Sequence, residues 1–146
     1  MDLRPLSETV SVAPMLAPGD MAALAERGIA LVICNRPDAE VPPDYQAAAM
    51  EAAARAAGLA FTFNPVSMPA VTVDAVEEQV DAIEGADGPV VAYCASGTRS
   101  TVLWALGMAG RMPSAEILQA LEDAGFPMPG LGPQLDAMAD AEGARR

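Results

Sequence analysis

The segment Pro89-Val90-Val91-Ala92-Tyr93-Cys94-Ala95-Ser96-Gly97-Thr98-Arg99-Ser100-Thr101 constrains this chain more than any other. An apolar run reaches a cysteine, crosses a loop of small residues, passes an arginine and enters a helical run over 100–109. A strand, tight loop and helix N-terminus in that order turn backbone N–H groups toward an anion. The same N–H groups, the helix dipole and the guanidinium of Arg99 favour the thiolate of Cys94. Arg99 also offers a planar fork for two oxygens of a phosphate or sulfate. Two readings of Cys94 follow: a nucleophilic thiolate in an anion-binding loop, or a buried structural cysteine before a turn. The strand before it, Gly97 within the loop and Arg99 at the helix start favour the first.

Around this segment apolar strands alternate with helices. Val10 and Val12 alternate with polar neighbours, the pattern of a short edge strand over 8–13. Pro18-Gly19-Asp20 opens a helix with Met21, Leu24 and Ala25 inward, and Gly28 stops it. Residues 29–34 form a continuous apolar run, the mark of a strand buried on both faces. The proline-rich stretch 35–43 is a loop. Asp44 is placed to cap a helix reaching Ala57, with Glu51 and Arg55 paired at i,i+4 and Gly58 as the stop. Residues 59–63 are the third strand. Thr72 caps a helix with Val73, Val76, Val80 and Ile83 on one face. Residues 89–94 are the fourth strand, and the helix after Arg99 is apolar nearly all round, so it is expected to be buried. Ser114 caps a helix through Ile117, Leu118 and Leu121. A last short helix carries Leu135 and Met138.

This alternation predicts an α/β fold. It is a three-layer α/β/α arrangement with a mostly parallel central sheet of four to five strands, in a single domain over 1–146. Ligands in such sheets sit beyond the carboxyl ends of the strands. The loops 34–38, 64–67 and 94–99 all follow strand ends and are expected to converge.

Composition narrows the chemistry. The net charge is −12 and there is no histidine. Nucleic acid and anionic membranes are therefore disfavoured as partners, and a positive pocket at Arg99 is local. Without histidine, Cys-His and Ser-His-Asp mechanisms are excluded and a zinc site is disfavoured. The apolar fraction of 52% is enough for a sizeable core. Yet no apolar run reaches the length of a membrane span, and Met1-Asp2-Leu3-Arg4-Pro5 has no signal-peptide pattern. A cytoplasmic protein is expected, with its two cysteines as free thiols. Composition favours disorder only in the tail from Asp140 on. No nucleotide fingerprint is present, no cofactor or metal is expected, and the chain is read as a monomer or homodimer.

The order of features resembles the beta-lactamase-hydrolase-like, phosphatase-like domain family. Its members carry an Asn-Arg-Pro-Asp loop after the second strand and a Tyr-Cys-x-Ser-Gly-Thr-Arg-Ser segment followed by Leu-Trp-Ala-Leu. Here these are Asn35-Arg36-Pro37-Asp38, then 93–100, then Leu103-Trp104-Ala105-Leu106. The match runs from about Leu3 to the helix after Arg99. The resemblance implies a dual-specificity-phosphatase-like fold. It also implies a cysteine-dependent hydrolase, with Cys94 and Arg99 catalytic and Ala95, Ser96, Gly97, Thr98 and Ser100 binding the substrate. Ser100 would assist the thiolate or the breakdown of a phospho-cysteine. Some members have been labelled sulfur transferases.

Two features depart from the phosphatase pattern. Cysteine phosphatases place five residues between Cys and Arg, whereas four separate Cys94 from Arg99, a rhodanese-like spacing. Their histidine before the cysteine is Tyr93 here. A rhodanese, in turn, would have an Asp-x-Arg strand ending and a Gly-His-Ile segment, and this chain has Cys34-Asn35-Arg36-Pro37-Asp38. The loop that supplies a phosphatase's general acid holds no carboxylate over 64–72. Asp74 reads as a helix-start residue, and Asp38 as either the acid or a turn residue. Cys34 reads as a redox partner of Cys94 or as a small buried apolar residue.

Three functions stand open from the sequence. One is a cysteine-dependent phosphatase-like hydrolase, and another is a sulfur transferase working through a Cys94 persulfide. The third is a non-catalytic anion-binding regulatory module. The ligand in each case is a small anion, either a phosphate ester or a sulfane-sulfur donor.

Overall fold

Among the residues described by the computed structural model, 1–144, the apolar runs form one five-stranded sheet. Its strands are β1 (Arg4–Pro5), β2 (Val10–Ala13), β3 (Leu31–Cys34), β4 (Ala60–Phe63) and β5 (Val90–Tyr93), in the spatial order β1-β2-β5-β3-β4. Only β1 runs antiparallel, so the sheet is mostly parallel as expected. The helices are α1 (Met21–Glu26), α2 (Ala47–Ala56), α3 (Val73–Gly85), α4 (Thr98–Met108), α5 (Ser114–Asp123) and α6 (Gly132–Ala144).

Alternation along the strands assigns the two faces. Val32, Cys34, Val91 and Tyr93 pack with Met21 and Leu24 of α1 and Met50 and Ala54 of α2. Leu31, Ile33, Val90 and Ala92 pack with Val76 of α3, Leu103 and Trp104 of α4, Ile117 of α5 and Leu135 of α6. Every residue of α4 from Ser100 to Gly107 is buried, because α3, α5 and α6 surround it on the sheet. Gly107 makes that packing possible: a Cβ there would lie 2.6 Å from Val80 Cγ2.

The parallel register positions the site. Ala13 pairs with Tyr93, Tyr93 with Cys34 and Cys34 with Phe63, so four strands end level. The loops leaving that edge are the three whose convergence the sequence implied.

Several local expectations change. The strand over 8–13 begins at Val10 and is not an edge, because Arg4–Pro5 pairs outside it. Pro5 lacks an N–H and keeps that outer strand short. Asp44 lies in a 3₁₀ turn and does not cap α2. The capping oxygen comes from Asp38, whose Oδ1 accepts from Ala47 N–H at 2.8 Å. Ser114 is the first residue of α5, and its hydroxyl donates to Asp136 Oδ1 at 2.6 Å. The last helix is 13 residues long, not short. It carries the tail beyond Asp140 to Ala144, and residues 145–146 lie outside the described residues. Thr72 does cap α3, accepting from Ala75 N–H at 3.1 Å, and Arg55 pairs with Glu51 at 3.1 Å.

Candidate active site

Cys94 follows the last residue of β5 and is fully buried. The chain then turns back over its sulfur. Gly97 makes the turn with φ of 94°, in the left-handed region that suits glycine. A Cβ at Gly97 would also meet Phe126 Cζ at 2.8 Å, so conformation and space both demand glycine. Gly97 N–H donates to Cys94 Sγ at 3.1 Å. Ala95 O accepts from Met15 N–H at 3.2 Å, and Ser96 Oγ donates to Thr98 Oγ1 at 3.0 Å, so the loop is braced from outside and within.

Burial pushes the Cys94 thiol up, but the backbone N–H groups of Ser100, Gly97, Ser96 and Arg99 outweigh it and leave the thiol below its ordinary value. Helix α4 begins at Thr98, whose N–H donates to Ser96 Oγ at 3.4 Å, with no side-chain cap from Gly97 and no acidic residue in its first turn. The N–H groups of Arg99 and Ser100 in that turn are therefore available to the sulfur.

Arg99 is held from two sides. Nη1 donates to Glu40 Oε2 at 2.7 Å and to Val66 O at 2.9 Å, while Nη2 donates to Glu40 Oε1 at 2.8 Å. Three of the five guanidinium hydrogens are thus used, leaving Nε–H and one Nη2–H, the parallel pair along the side of the fork. The charge of a Cys94 thiolate favours the charged guanidinium of Arg99. Arg36 Nε reaches Glu40 Oε1 at 3.3 Å, and Arg99 holds the Glu40 carboxyl below its usual range.

A closed set of amides lies beneath the loop. Asn35 Nδ2 donates to Gln79 Oε1 at 2.9 Å, and Gln79 Nε2 returns a bond to Asn35 Oδ1 at 3.1 Å. Asn64 Nδ2 donates to Gln79 Oε1 and to Ala75 O, both at 2.9 Å. Ser100 Oγ donates to Asn35 Oδ1 at 2.8 Å. All four residues are buried.

The loop 94–99, Cys34 and the start of α4 thus share one edge of the sheet. The Ser100 hydroxyl donates to Asn35 Oδ1, and its backbone N–H is among the groups that lower the Cys94 thiol. Asp38 accepts from Ala47 N–H at the start of α2. Asp74 sits in the first turn of α3, as its sequence context suggested. Cys34 donates its S–H to Arg36 O at 3.4 Å, and burial raises its thiol above the ordinary value. Among the described residues, no group of three or more His, Cys, Asp and Glu is placed to hold a metal ion, and no helix is long and apolar enough to cross a membrane.

Sequence reasoning missed Glu40, the Val66 carbonyl and Gln79. The carbonyl leaves no trace in a sequence. Glu40 had a signal in its i,i+4 spacing from Arg36. Gln79 had one as the lone polar residue on the stripe of Val76 and Ile83.

Known proteins match this geometry. The family described as beta-lactamase hydrolase-like protein, phosphatase-like domain, matches residues 2–111. The beta-lactamase hydrolase-like protein of Agrobacterium fabrum is 36% identical over 111 residues, 75% of this chain and 25% of that protein. Its counterpart from Xylella fastidiosa Temecula1 is 34% identical over 119 residues, 80% of this chain and 28% of that one. The chain therefore spans about a quarter of the length of these curated relatives. A solved structure from Neisseria meningitidis Z2491, described as a candidate phosphatase, superposes with a TM-score of 0.80 at 33% identity, covering 94% of this chain and 99% of that one. PTPMT1, solved in complex with PI(5)P, shares the fold with a TM-score of 0.79 at 16% identity over 99% of each chain. The fold is thus dual-specificity-phosphatase-like. The chain belongs to the beta-lactamase hydrolase-like protein, phosphatase-like domain family.

Proposed function

We propose that this domain is a cysteine-dependent hydrolase of small phosphomonoesters, with Cys94 as nucleophile and Arg99 as anion clamp. The observation that carries the reading is the buried Cys94 sulfur at the start of α4, accepting from Gly97 N–H at 3.1 Å beside Arg99, with backbone N–H groups holding its thiol below the ordinary value. The Cys94 thiolate attacks phosphorus, an S–P bond forms, and the ester P–O bond breaks with its electron pair leaving on the alcohol oxygen. Nε–H and Nη2–H of Arg99, with N–H groups of Ala95, Ser96, Gly97 and Thr98, take the non-bridging oxygens as charge moves onto them. Water then attacks phosphorus, the S–P bond breaks, and thiolate and inorganic phosphate are released.

The acid is the open part of this chemistry. Residues 64–72 hold no carboxylate, Glu40 is tied to Arg99, and Asp38 is engaged in capping α2 at Ala47. The leaving oxygen then has to depart with little protonation, which suits aryl esters. The test is turnover of an aryl phosphate and an alkyl phosphate by wild type and Cys94→Ser. Cys94-dependent release from the aryl ester, well above the alkyl ester, is expected. Aryl phosphatase activity that survives in Cys94→Ser would sink the reading.

A second reading rests on the four-residue spacing from Cys94 to Arg99, which makes a small ring around the sulfur. There the thiolate attacks the sulfane sulfur of thiosulfate, the S–S bond breaks, sulfite leaves, and Cys94 holds a persulfide. Mass spectrometry after thiosulfate treatment separates the two, since only sulfur transfer adds one sulfur at Cys94. Anion binding with neither reaction would point to a regulatory module.

The reading also keeps Cys34 as a resolving thiol. Cys34 pairs in register with Tyr93, the residue before Cys94. Strand spacing and rise then put the two cysteine Cα atoms about 6 Å apart, within disulfide range. Hydrogen peroxide would oxidise Cys94 to a sulfenic acid, and Cys34 would displace water to form the disulfide. Peroxide-treated protein in which both thiols still titrate removes this role.

A further inference from the structure

The hydrogen bonds beneath the loop have a fixed direction. Ala75 O can only accept, so Asn64 must present Nδ2 to it, and the second hydrogen of that nitrogen goes to Gln79 Oε1. Gln79 is thereby oriented with Oε1 and Nε2 both toward Asn35. Asn35 completes a reciprocal amide pair, and Asn64 O, again only an acceptor, takes its other Nδ2 hydrogen at 2.9 Å. Asn35 Oδ1 is then the atom left facing α4, and the Ser100 hydroxyl must donate to it. Four buried side chains carry a single polarity from a carbonyl on α3 to the first turn of α4.

That turn is the one that supplies N–H groups to the nucleophile. Three consecutive side chains tether it. Arg99 ties to Val66 O and to the partly exposed Glu40, and Thr101 Oγ1 donates to Gly97 O at 2.8 Å, within the loop itself. Ser100 ties the turn to the buried amides, its backbone N–H is among the groups that lower the Cys94 thiol, and Gly97 N–H just before the turn donates to Cys94 Sγ at 3.1 Å.

We infer that Gln79 is a positioning residue for the Cys94 thiolate, acting through Asn35 and Ser100. The inference rests on the reading of Cys94 as a reactive thiolate. Gln79 orients the Asn35 amide, Asn35 holds the Ser100 hydroxyl, and that bond keeps Ser100 N–H aimed at the sulfur. Without Gln79, the Asn35 amide loses its reciprocal partner and the first turn of α4 is free to shift. Because that N–H stabilises only the charged form, small losses of aim raise the thiol titration directly. A simple packing role for Gln79 would lower stability and leave the titration unchanged.

The experiment is an ultraviolet thiolate titration of the full chain as wild type, Cys94→Ser, Gln79→Met, Ser100→Ala and the double variant Gln79→Met/Ser100→Ala, with circular dichroism to check folding. Wild type should show a thiolate transition below the ordinary thiol range that is missing from Cys94→Ser. Gln79→Met and Ser100→Ala should each move it up by about one pH unit, a tenfold loss of thiolate below the midpoint. The double variant should move it no further, because both changes cut one chain of bonds. If Gln79→Met does not fold, Gln79→Asn replaces it, an amide one methylene too short to reach Asn35, with the same shift expected. A wild-type midpoint in a folded Gln79 variant overturns the inference alone, as do shifts that simply add in the double variant. A wild type with no Cys94-dependent transition overturns the thiolate reading, and the inference falls with it.

Discussion

The two cysteines end neighbouring strands of one sheet, and the chain treats them in opposite ways. Cys34 closes β3 and Cys94 comes directly after β5, with Cys34 in register one residue before Cys94. Their exposures, 2% and 0%, are too alike to separate them. The segments leaving the two strands make the difference. After Cys34 the chain continues through Asn35 and Arg36 to Pro37, which has no N–H to offer, and the group that meets the sulfur is a carbonyl, Arg36 O. Burial outweighs the lowering contacts around this sulfur and raises the thiol above its ordinary value. After Cys94 come small residues, a left-handed glycine and the open end of a helix, so the groups that meet the sulfur are N–H donors. Burial raises both thiols, and only at Cys94 do donors overturn it.

The largest break in this contrast comes from removing each sulfur in turn. Cys94→Ser should lower aryl phosphate turnover by on the order of 10³-fold or more, and Cys34→Ser should leave it within about twofold. Steady-state kinetics on the two variants checks this. Next comes the guanidinium lock. Glu40→Gln removes the charge that holds both terminal nitrogens of Arg99, and kcat/KM should fall by about tenfold, or 1.4 kcal/mol. Cys94 alkylation, which does not use Arg99 as a clamp, should fall much less.

The cysteines should also divide by pH. Cys94 is depressed, so the stability it contributes is present above the ordinary thiol value and lost as pH falls through its folded value. Cys34 is raised, so its contribution is present below the ordinary thiol value and lost as pH rises through its folded value. Iodoacetamide at neutral pH should therefore label Cys94 first, as read by peptide mass spectrometry. Denaturant melts should show that Cys34→Ala flattens the alkaline loss of stability. The smallest effect belongs to Asp38. Asp38→Ala loses the cap at Ala47 and should cost about 1 kcal/mol, with the ratio of aryl to alkyl turnover unchanged. A selective loss on the alkyl ester would instead make Asp38 the missing acid.

The elements whose pattern was complete within a dozen residues were legible in advance. The run 29–34 became β3, Gly28 and Gly58 stopped their helices with positive φ, and the apolar α4 was buried along its length. Caps were less legible, because a carboxylate can cap from a distance. Asp44 stands next to α2, yet Asp38 does the capping after a loop folds it back. Cys94, Gly97 and Arg99 lie within six residues and could be found together. Glu40 and Gln79 each carried a local signal, but not one that named their partners at the site. They lie 59 residues from Arg99 and 44 from Asn35, and nothing local binds them to either.

The sequence by itself determined the strand, loop and helix around Cys94, since spacing and residue type decide where N–H groups and an arginine can fall along a short segment. It also determined the mostly parallel sheet, because only buried parallel strands use such continuous apolar runs. The tertiary structure alone decided which carboxylate holds Arg99 and that the hydroxyl of Ser100 faces Asn35. It also decided that Cys34 meets a carbonyl while Cys94 meets N–H groups. Those outcomes depend on the direction of individual hydrogen bonds between distant segments, and direction exists only once the strands have been set side by side.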